Sequence, residues 1–270
     1  MAKIAVIQLH TSDKYKDNLA NMVRLTEQAV RKGAPDVILL PEEAPGTPHG
    51  PDDLQVLAQD LEGEVVSTFQ ELARRHATNI IPGSFFEKNK NGKVYNTAVF
   101  INRSGDIVHV YRKIHLCDSS GYKESDFVDP GSEVAVFDTD FGRVGMMICY
   151  DARFPELSRM LANQGARVIF IPFAFAPGNI LPMRSDHWDI LTRATALLNL
   201  TYTAASNLYG ACGGDQFMGR SCFIDPWGTV VAQAKPGEDI IFGEADFTYQ
   251  EEVRAKVASL ACRRPELYKI

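Results

Sequence analysis

Short, continuous apolar runs along the chain alternate with stretches in which apolar residues recur every three or four positions. Lys3-Ile4-Ala5-Val6-Ile7 reads as a strand. From Asn18 to Lys32, Leu19, Met22, Val23, Ala29 and Val30 fall roughly on one face of a helix. Gly33-Ala34-Pro35 stops that helix and feeds the buried strand Val37-Ile38-Leu39-Leu40-Pro41. The same order returns later. Arg143-Val144-Gly145-Met146-Met147-Ile148 reads as a strand and Pro155–Gln164 as a helix. They lead into Gly165-Ala166-Arg167-Val168-Ile169-Phe170-Ile171-Pro172. The two Gly-Ala…Val-Ile…Pro segments align with one residue deleted. A helix at Glu64–His76 precedes a strand–turn–strand pattern from Ala98 to Val108, and a helix at His187–Asn199 precedes another from Ser221 to Val231. Gly105 and Gly228 supply the positive φ that each turn wants.

Buried strands alternating with amphipathic helices predict an α/β fold, and the repeated order predicts two similar halves. Each half forms a mixed sheet with helices on one face. Packing the bare faces together gives a four-layer α-β-β-α sandwich with an internal pseudo-two-fold repeat. No Pro/Gly/Ser-rich linker, low-complexity segment or charge block interrupts the chain, so residues 1–270 are expected to form a single domain.

Composition narrows the class. At 270 residues, 45% hydrophobic and 23% charged, the chain can bury a sizeable core without staples. The formal net charge of -6, with no Lys/Arg run, argues against nucleic acid as a partner. Met1 to Leu9 lacks the basic start and cleavage site of a signal peptide, and no apolar stretch approaches the roughly 20 residues of a membrane span. The five cysteines (Cys117, Cys149, Cys212, Cys222 and Cys262) are odd in number and lack C-x-x-C spacing, which points away from disulfides and a zinc site. A reduced, cytoplasmic setting is expected, with no metal and no cofactor.

Three apolar runs end in a chemically useful residue. Val37–Leu40 leads to Pro41-Glu42-Glu43, Ile107–Tyr111 to Arg112-Lys113, and Val144–Ile148 to Cys149 before a Pro-started helix. A thiol between strand and helix can be exposed while neighbouring N–H groups face an incoming oxygen. A helix start and a nearby ammonium are expected to favour its thiolate. Most free cysteines are simply small buried hydrophobes. Glu42 or Glu43 could be a solvated loop acid or, if buried, a group that takes a thiol proton and returns it to a leaving amine. Lys113 could lie on the surface or, if it points inward, stabilise an oxyanion.

Leu39-Leu40-Pro41-Glu42, Tyr111-Arg112-Lys113-Ile114-His115-Leu116 and Cys149-Tyr150-Asp151-Ala152-Arg153-Phe154-Pro155-Glu156-Leu157 resemble, in order and spacing, the nitrilase superfamily of carbon–nitrogen hydrolases. The likeness runs from Lys3 to the Arg263–Tyr268 tail. It implies the four-layer sandwich and a Glu–Lys–Cys triad of Glu42, Lys113 and Cys149, with Glu42 preferred to Glu43 because it directly follows the proline. It also implies that Glu124 positions the lysine and substrate, and that the Tyr150 backbone N–H joins Lys113 at the oxyanion. The implied reaction is hydrolysis of a small-molecule amide to acid and ammonia through a thioester. The small amidase branches are nearest, the omega-amidases and the deaminated glutathione amidases. Nitrile or N-carbamoyl hydrolysis would use the same triad, and a silent scaffold of the same fold is the reading from another class.

Phe173, Arg184, His187 and Tyr209 are candidates for substrate contact. Arg153 and Arg220 are further candidates for a carboxylate, although Arg153 is expected to pair with Glu156 and His187 to pack or cap a helix. The stretch Ala174–Asp186 and Asp189 depart from these branches and bear on the substrate. The resemblance further implies a homodimer, with the tail at about 258–270 reaching across the interface.

Overall fold

The computed structural model describes residues 1–48, 50–119, 122–176 and 185–268. The first half contains β1 (Ala2–His10), α1 (Tyr15–Gly33), β2 (Val37–Leu39), α2 (Pro51–Leu57), α3 (Glu64–His76), β3 (Asn79–Ile81), β4 (Ser84–Lys88), β5 (Val94–Ile101) and β6 (Ile107–Arg112). A small hairpin, β7 (Asp118–Ser119) and β8 (Tyr122–Lys123), leads to the second half. There β9 (Ala135–Thr139), β10 (Gly142–Met146), α4 (Pro155–Asn163), β11 (Val168–Phe173), α5 (Ser185–Asn199), β12 (Tyr202–Cys212), β13 (Asp215–Met218), β14 (Cys222–Ile224) and β15 (Val230–Gln233) follow. The chain then forms β16 (Asp239–Ala245) and α6 (Phe247–Val257).

The two halves share one topology. One sheet runs β16-β1-β2-β3-β5-β6, with β4 also on β5; the other runs β9-β10-β11-β12-β14-β15. In each, the pairings between the second, third and fourth strands are parallel and those outside them antiparallel. The match extends to single hydrogen bonds in the turns. Asn102 Oδ1 accepts from the Ser104 and Asp106 N–H groups, both at 2.9 Å, and Asp225 Oδ1 accepts from those of Trp227 and Thr229, both at 2.9 Å. Gly105 (φ 79°) and Gly228 (φ 75°) occupy the left-handed position of each turn, where a Cβ is disfavoured.

Alternation along the strands builds the layers. Ile4, Val6, Leu39 and Ile81 share an inter-sheet core with Val144, Met146, Val168 and Phe170. Their neighbours Ala5, Ile7, Ile38 and Ile80 face Met22, Leu25, Phe69 and Leu72 of α1 and α3. On the other side Ile169 and Ile171 face Leu157, Leu161, Trp188 and Ala196 of α4 and α5. Each such large side chain removed from water contributes about 1.5–3 kcal/mol, so both faces of each sheet must be covered. The result is the α-β-β-α sandwich. Its two sheets join along one seam, where β1 and β12 run parallel with Leu9 beside Leu208 and His10 beside Tyr209.

The strand ends carry the chemistry. β2 runs out through Leu40 and Pro41 to Glu42, and Gly83 crosses directly over that turn. The Pro41 carbonyl accepts from the Ser84 N–H (3.2 Å), and a Cβ on Gly83, at φ 81°, would stand 1.7 Å from the same oxygen. Gly83→Ala is therefore expected to lower stability by about 3 kcal/mol or more, from a backbone clash added to an unfavourable φ. Urea denaturation of the purified variant measures this.

Candidate active site

Lys113 continues β6 by one residue, so it shares a face with Tyr111 while Arg112 points away to Glu87. Its N–H donates to the Asn96 carbonyl (2.9 Å) and its carbonyl accepts from Gly131 (2.8 Å), which fixes the backbone. The ammonium is 2% exposed and donates to Glu42 Oε1 (2.9 Å) and Glu124 Oε2 (2.8 Å), carboxylates that are 2% and 1% exposed. Further donors occupy these carboxylates. Asn96 Nδ2 reaches Glu42 Oε1 (2.9 Å) and Glu124 Oε1 (3.0 Å), while the N–H groups of Ala174 and Cys117 donate to Glu42 Oε2 and Glu124 Oε2, both at 2.7 Å.

Burial pulls the lysine down, but Glu42 and Glu124 outweigh it and hold Lys113 charged well above the ordinary lysine value. The Glu43 carboxyl lies close by. Oxygens of Glu42, Glu43 and Glu124 fall within 4.8 Å of one another, a grouping that could otherwise hold a metal ion. Here the Lys113 ammonium supplies the compensating cation. Burial, then the charges of Glu42 and Glu124, push Glu43 well above the usual carboxylate range, so it is the acid that keeps its proton.

Cys149 opens a short 3-10 helix, Cys149–Arg153, in the left-handed conformation (φ 43°). Its thiol feels the charges of both Glu42 and Lys113. The expected stabilisation of thiolate is reversed in this structure. Burial and the Glu42 carboxylate raise the thiol well above its ordinary value, and Lys113 offsets only part of that. The sulfur therefore rests protonated, within the field of the Glu42 carboxylate. Tyr150 follows in the first turn, where N–H groups have no acceptor within the helix.

Asp151, fully buried in the same turn, was not among the residues that the sequence pointed to, although it stands inside the Cys149 segment. Its Oδ2 accepts from Tyr111 Oη (2.7 Å) and the Ile148 N–H (2.9 Å); its Oδ1 accepts from the His115 N–H (2.9 Å) and contacts His115 Nδ1 (2.8 Å). Asn96 and Asn207 were also missed, since an asparagine in an apolar strand carries no motif. The Asn207 side chain accepts from the Phe175 N–H (2.7 Å) and donates to the Phe175 carbonyl (3.3 Å), holding the segment whose Ala174 N–H reaches Glu42.

Glu42, Lys113, Glu124 and Cys149 thus converge, and the remaining candidates scatter. The Phe173 ring turns into the helix-side core against Trp188 (centroids 4.8 Å apart), and its carbonyl accepts from the Glu42 N–H (3.3 Å). Trp188 does the packing expected of His187, which is exposed. Tyr209 sits at the end of β12 beside His10, with ring centroids 6.0 Å apart. Arg220 is bound by Asp189 at 2.9 and 3.0 Å. Arg153 is exposed and lies over the Tyr150 ring, 5.6 Å from its centroid, rather than pairing with Glu156, because the 3-10 turn aims it back over the aromatic. Arg184 and most of the Ala174–Asp186 stretch lie outside the described residues.

A sequence model of the carbon–nitrogen hydrolase family matches residues 3–255. Deaminated glutathione amidase of Mus musculus is 33% identical over 279 residues, covering 98% of this chain and 84% of the relative. An omega-amidase of Xenopus laevis is 33% identical over 274 residues, covering 99% and 97%. The crystal structure of a carbon–nitrogen hydrolase from Helicobacter pylori superposes with a TM-score of 0.92 at 27% identity, covering 99% and 97%.

Two outcomes follow from this electrostatic arrangement. In Glu42→Gln, loss of the negative charge beside the sulfur moves the midpoint of Cys149 alkylation, followed by mass spectrometry against pH, to lower pH than in the wild type. Glu43 has a folded pKa above its unfolded value of about 4.3, so its contribution to stability is full below that pH and is lost as pH rises through the folded value. Glu43→Gln is therefore expected to gain stability relative to the wild type on going from pH 5 to pH 8 in chemical denaturation.

Proposed function

The chain belongs to the carbon–nitrogen hydrolase family, and on that premise we propose that it cleaves a small carboxamide to the carboxylic acid and ammonia through a thioester on Cys149. The carrying observation is the buried Lys113 ammonium held between Glu42 and Glu124, with the Cys149 thiol close enough for the charges of Glu42 and Lys113 to act on it. Glu42 is the base in this reading. It takes the thiol proton as sulfur attacks the amide carbon, and the charge it gives up is taken on by the reacting atoms beside Lys113. Lys113 and the Tyr150 N–H face the developing oxyanion. The protonated Glu42 then returns the proton to the departing nitrogen, which leaves as ammonia. Water, deprotonated by Glu42, attacks the thioester; the proton goes back to the sulfur and the acid departs. Glu124 holds Lys113 in place throughout.

The relatives named above act on amides, as their names state, and a linear amide bearing an anionic group fits the rim of this site. Arg220 is occupied by Asp189, whereas Arg153 is an exposed guanidinium on the residue pair after Tyr150-Asp151. We assign the recognition of a substrate carboxylate to Arg153, whose planar fork matches that group.

The same reading takes residues 1–270 as one hydrolase unit that works as a homodimer. Exposed Met160, Ile190, Leu197 and Leu198 on α4 and α5, with Leu267 and Tyr268 of the tail, support an apolar contact there. No described helix is long and apolar enough to cross a membrane. The free cysteines are the support for placing the enzyme in the reducing cytoplasm.

Ammonia release is the test, from a panel of 2-oxoglutaramate, succinamate, deaminated glutathione, aliphatic amides, N-carbamoyl compounds and nitriles. Release by the wild type that disappears in Cys149→Ala is expected, and release that survives the substitution overturns the thiol mechanism. A nitrile or carbamoyl compound turned over faster than every amide redirects the assignment. Arg153→Met is expected to raise KM for monoamides of dicarboxylic acids about tenfold, on the order of 1.4 kcal/mol, while leaving uncharged amides unchanged. A monomeric mass by light scattering at micromolar concentration overturns the dimer.

A further inference from the structure

We infer that Asp151 is a positioning residue that locks the Cys149 turn to both flanks of Lys113. This rests on the hydrolase reading above for its functional meaning, and on geometry for its content. Tyr111 lies two residues before Lys113 and His115 two residues after it, and both donate to the Asp151 carboxylate, at 2.7 Å from the phenol and 2.9 Å from the His115 N–H. The same carboxylate accepts from the N–H of Ile148, the residue immediately before Cys149, at 2.9 Å. One fully buried side chain therefore joins the lysine segment and the cysteine segment, which are otherwise far apart in sequence.

The need for such a lock is visible in the backbone. Cys149 adopts φ 43°, a conformation costing a non-glycine residue free energy that its surroundings must supply. Relaxation of that residue would swing the thiol away from Glu42 and turn the Tyr150 N–H with it. The Asp151 bond to Ile148 N–H holds the turn from the upstream side, and the bonds to Tyr111 and His115 hold it against Lys113. Tyr111 suits its part because burial and the Asp151 charge push its phenol well above the ordinary value, so it remains a donor. The carboxylate touches none of the reacting atoms; it acts through Cys149 and Lys113.

The test compares Asp151→Asn and Tyr111→Phe with the wild type and with Leu25→Ala, a substitution in the α1-side core, against which Cys149 does not pack, that lowers the melting temperature by packing alone. 2-Chloroacetamide is the probe, because alkylation of Cys149 by an amide-bearing reagent reports thiol presentation without requiring turnover. Saturating alkylation rates at pH 7.5 are expected to fall about tenfold or more in both variants, with half-saturation unchanged and Leu25→Ala matching the wild type. On the best amide of the panel, kcat falls in parallel and KM stays. Should Asp151→Asn fail to fold, Tyr111→Phe decides by itself, since it keeps the charge and the main-chain bonds. Alkylation and kcat within twofold of the wild type in the folded variants overturn the proposal. An alkylation defect in a protein whose wild type hydrolyses no amide upholds the lock and overturns the hydrolase reading instead.

Discussion

Placing one ammonium where water does not reach is the condition on which the rest of the molecule depends. A lysine charge removed from solvent carries a penalty of several kcal/mol, recovered only if its partners and their own remaining lone pairs are all satisfied. Around Lys113 that requirement is met by Glu42 after β2, Asn96 on β5, the main chain after β6, Glu124 after the small hairpin and Ala174 after β11. A displacement of any one of these leaves a charge or a donor unpaired at depth. The convergence of these strand ends is thus as much an electrostatic necessity as a result of packing.

The same cluster explains why the sulfur rests protonated. Three carboxylates stand near one ammonium, and a buried site does not tolerate the surplus, so Glu43 keeps its proton and the thiol keeps its own. Thiolate is the reactive species, and here it is generated only when Glu42 takes the proton. A neutral resting thiol beside the carboxylate that is to take its proton differs in kind from one made acidic by a helix start. The helix-start argument fails at Cys149 because burial and a neighbouring carboxylate together exceed what one ammonium returns.

Much of this was legible in the residues. The continuous apolar runs Ile4–Ile7 and Val168–Ile171 marked buried strands, and the repeated Gly-Ala…Val-Ile…Pro segments marked the two halves. Glu42, Lys113 and Cys149 stood out because each ends an apolar run. What escaped has a common physical character. Asn96, Asp151 and Asn207 work by filling hydrogen-bond valences across segments distant in sequence, and nothing local to an asparagine in a strand reveals which carboxylate it will meet. The expected Arg153–Glu156 pair failed for a related reason, since helical spacing was assumed where a 3-10 turn intervenes.

β16 is the last strand of the chain and pairs along its full length with β1, the first, from Ala2 beside Ala245 to Gln8 beside Asp239. The sheet of the first half is therefore completed by residues made after the whole of the second half. As the chain leaves the ribosome, β1 carries an open edge until nearly every other element has emerged, and the sheet of the second half, complete with β15, has all its strands before that of the first. For all its internal symmetry, the molecule closes its two sheets in turn, and the half that is made first is the last to be finished.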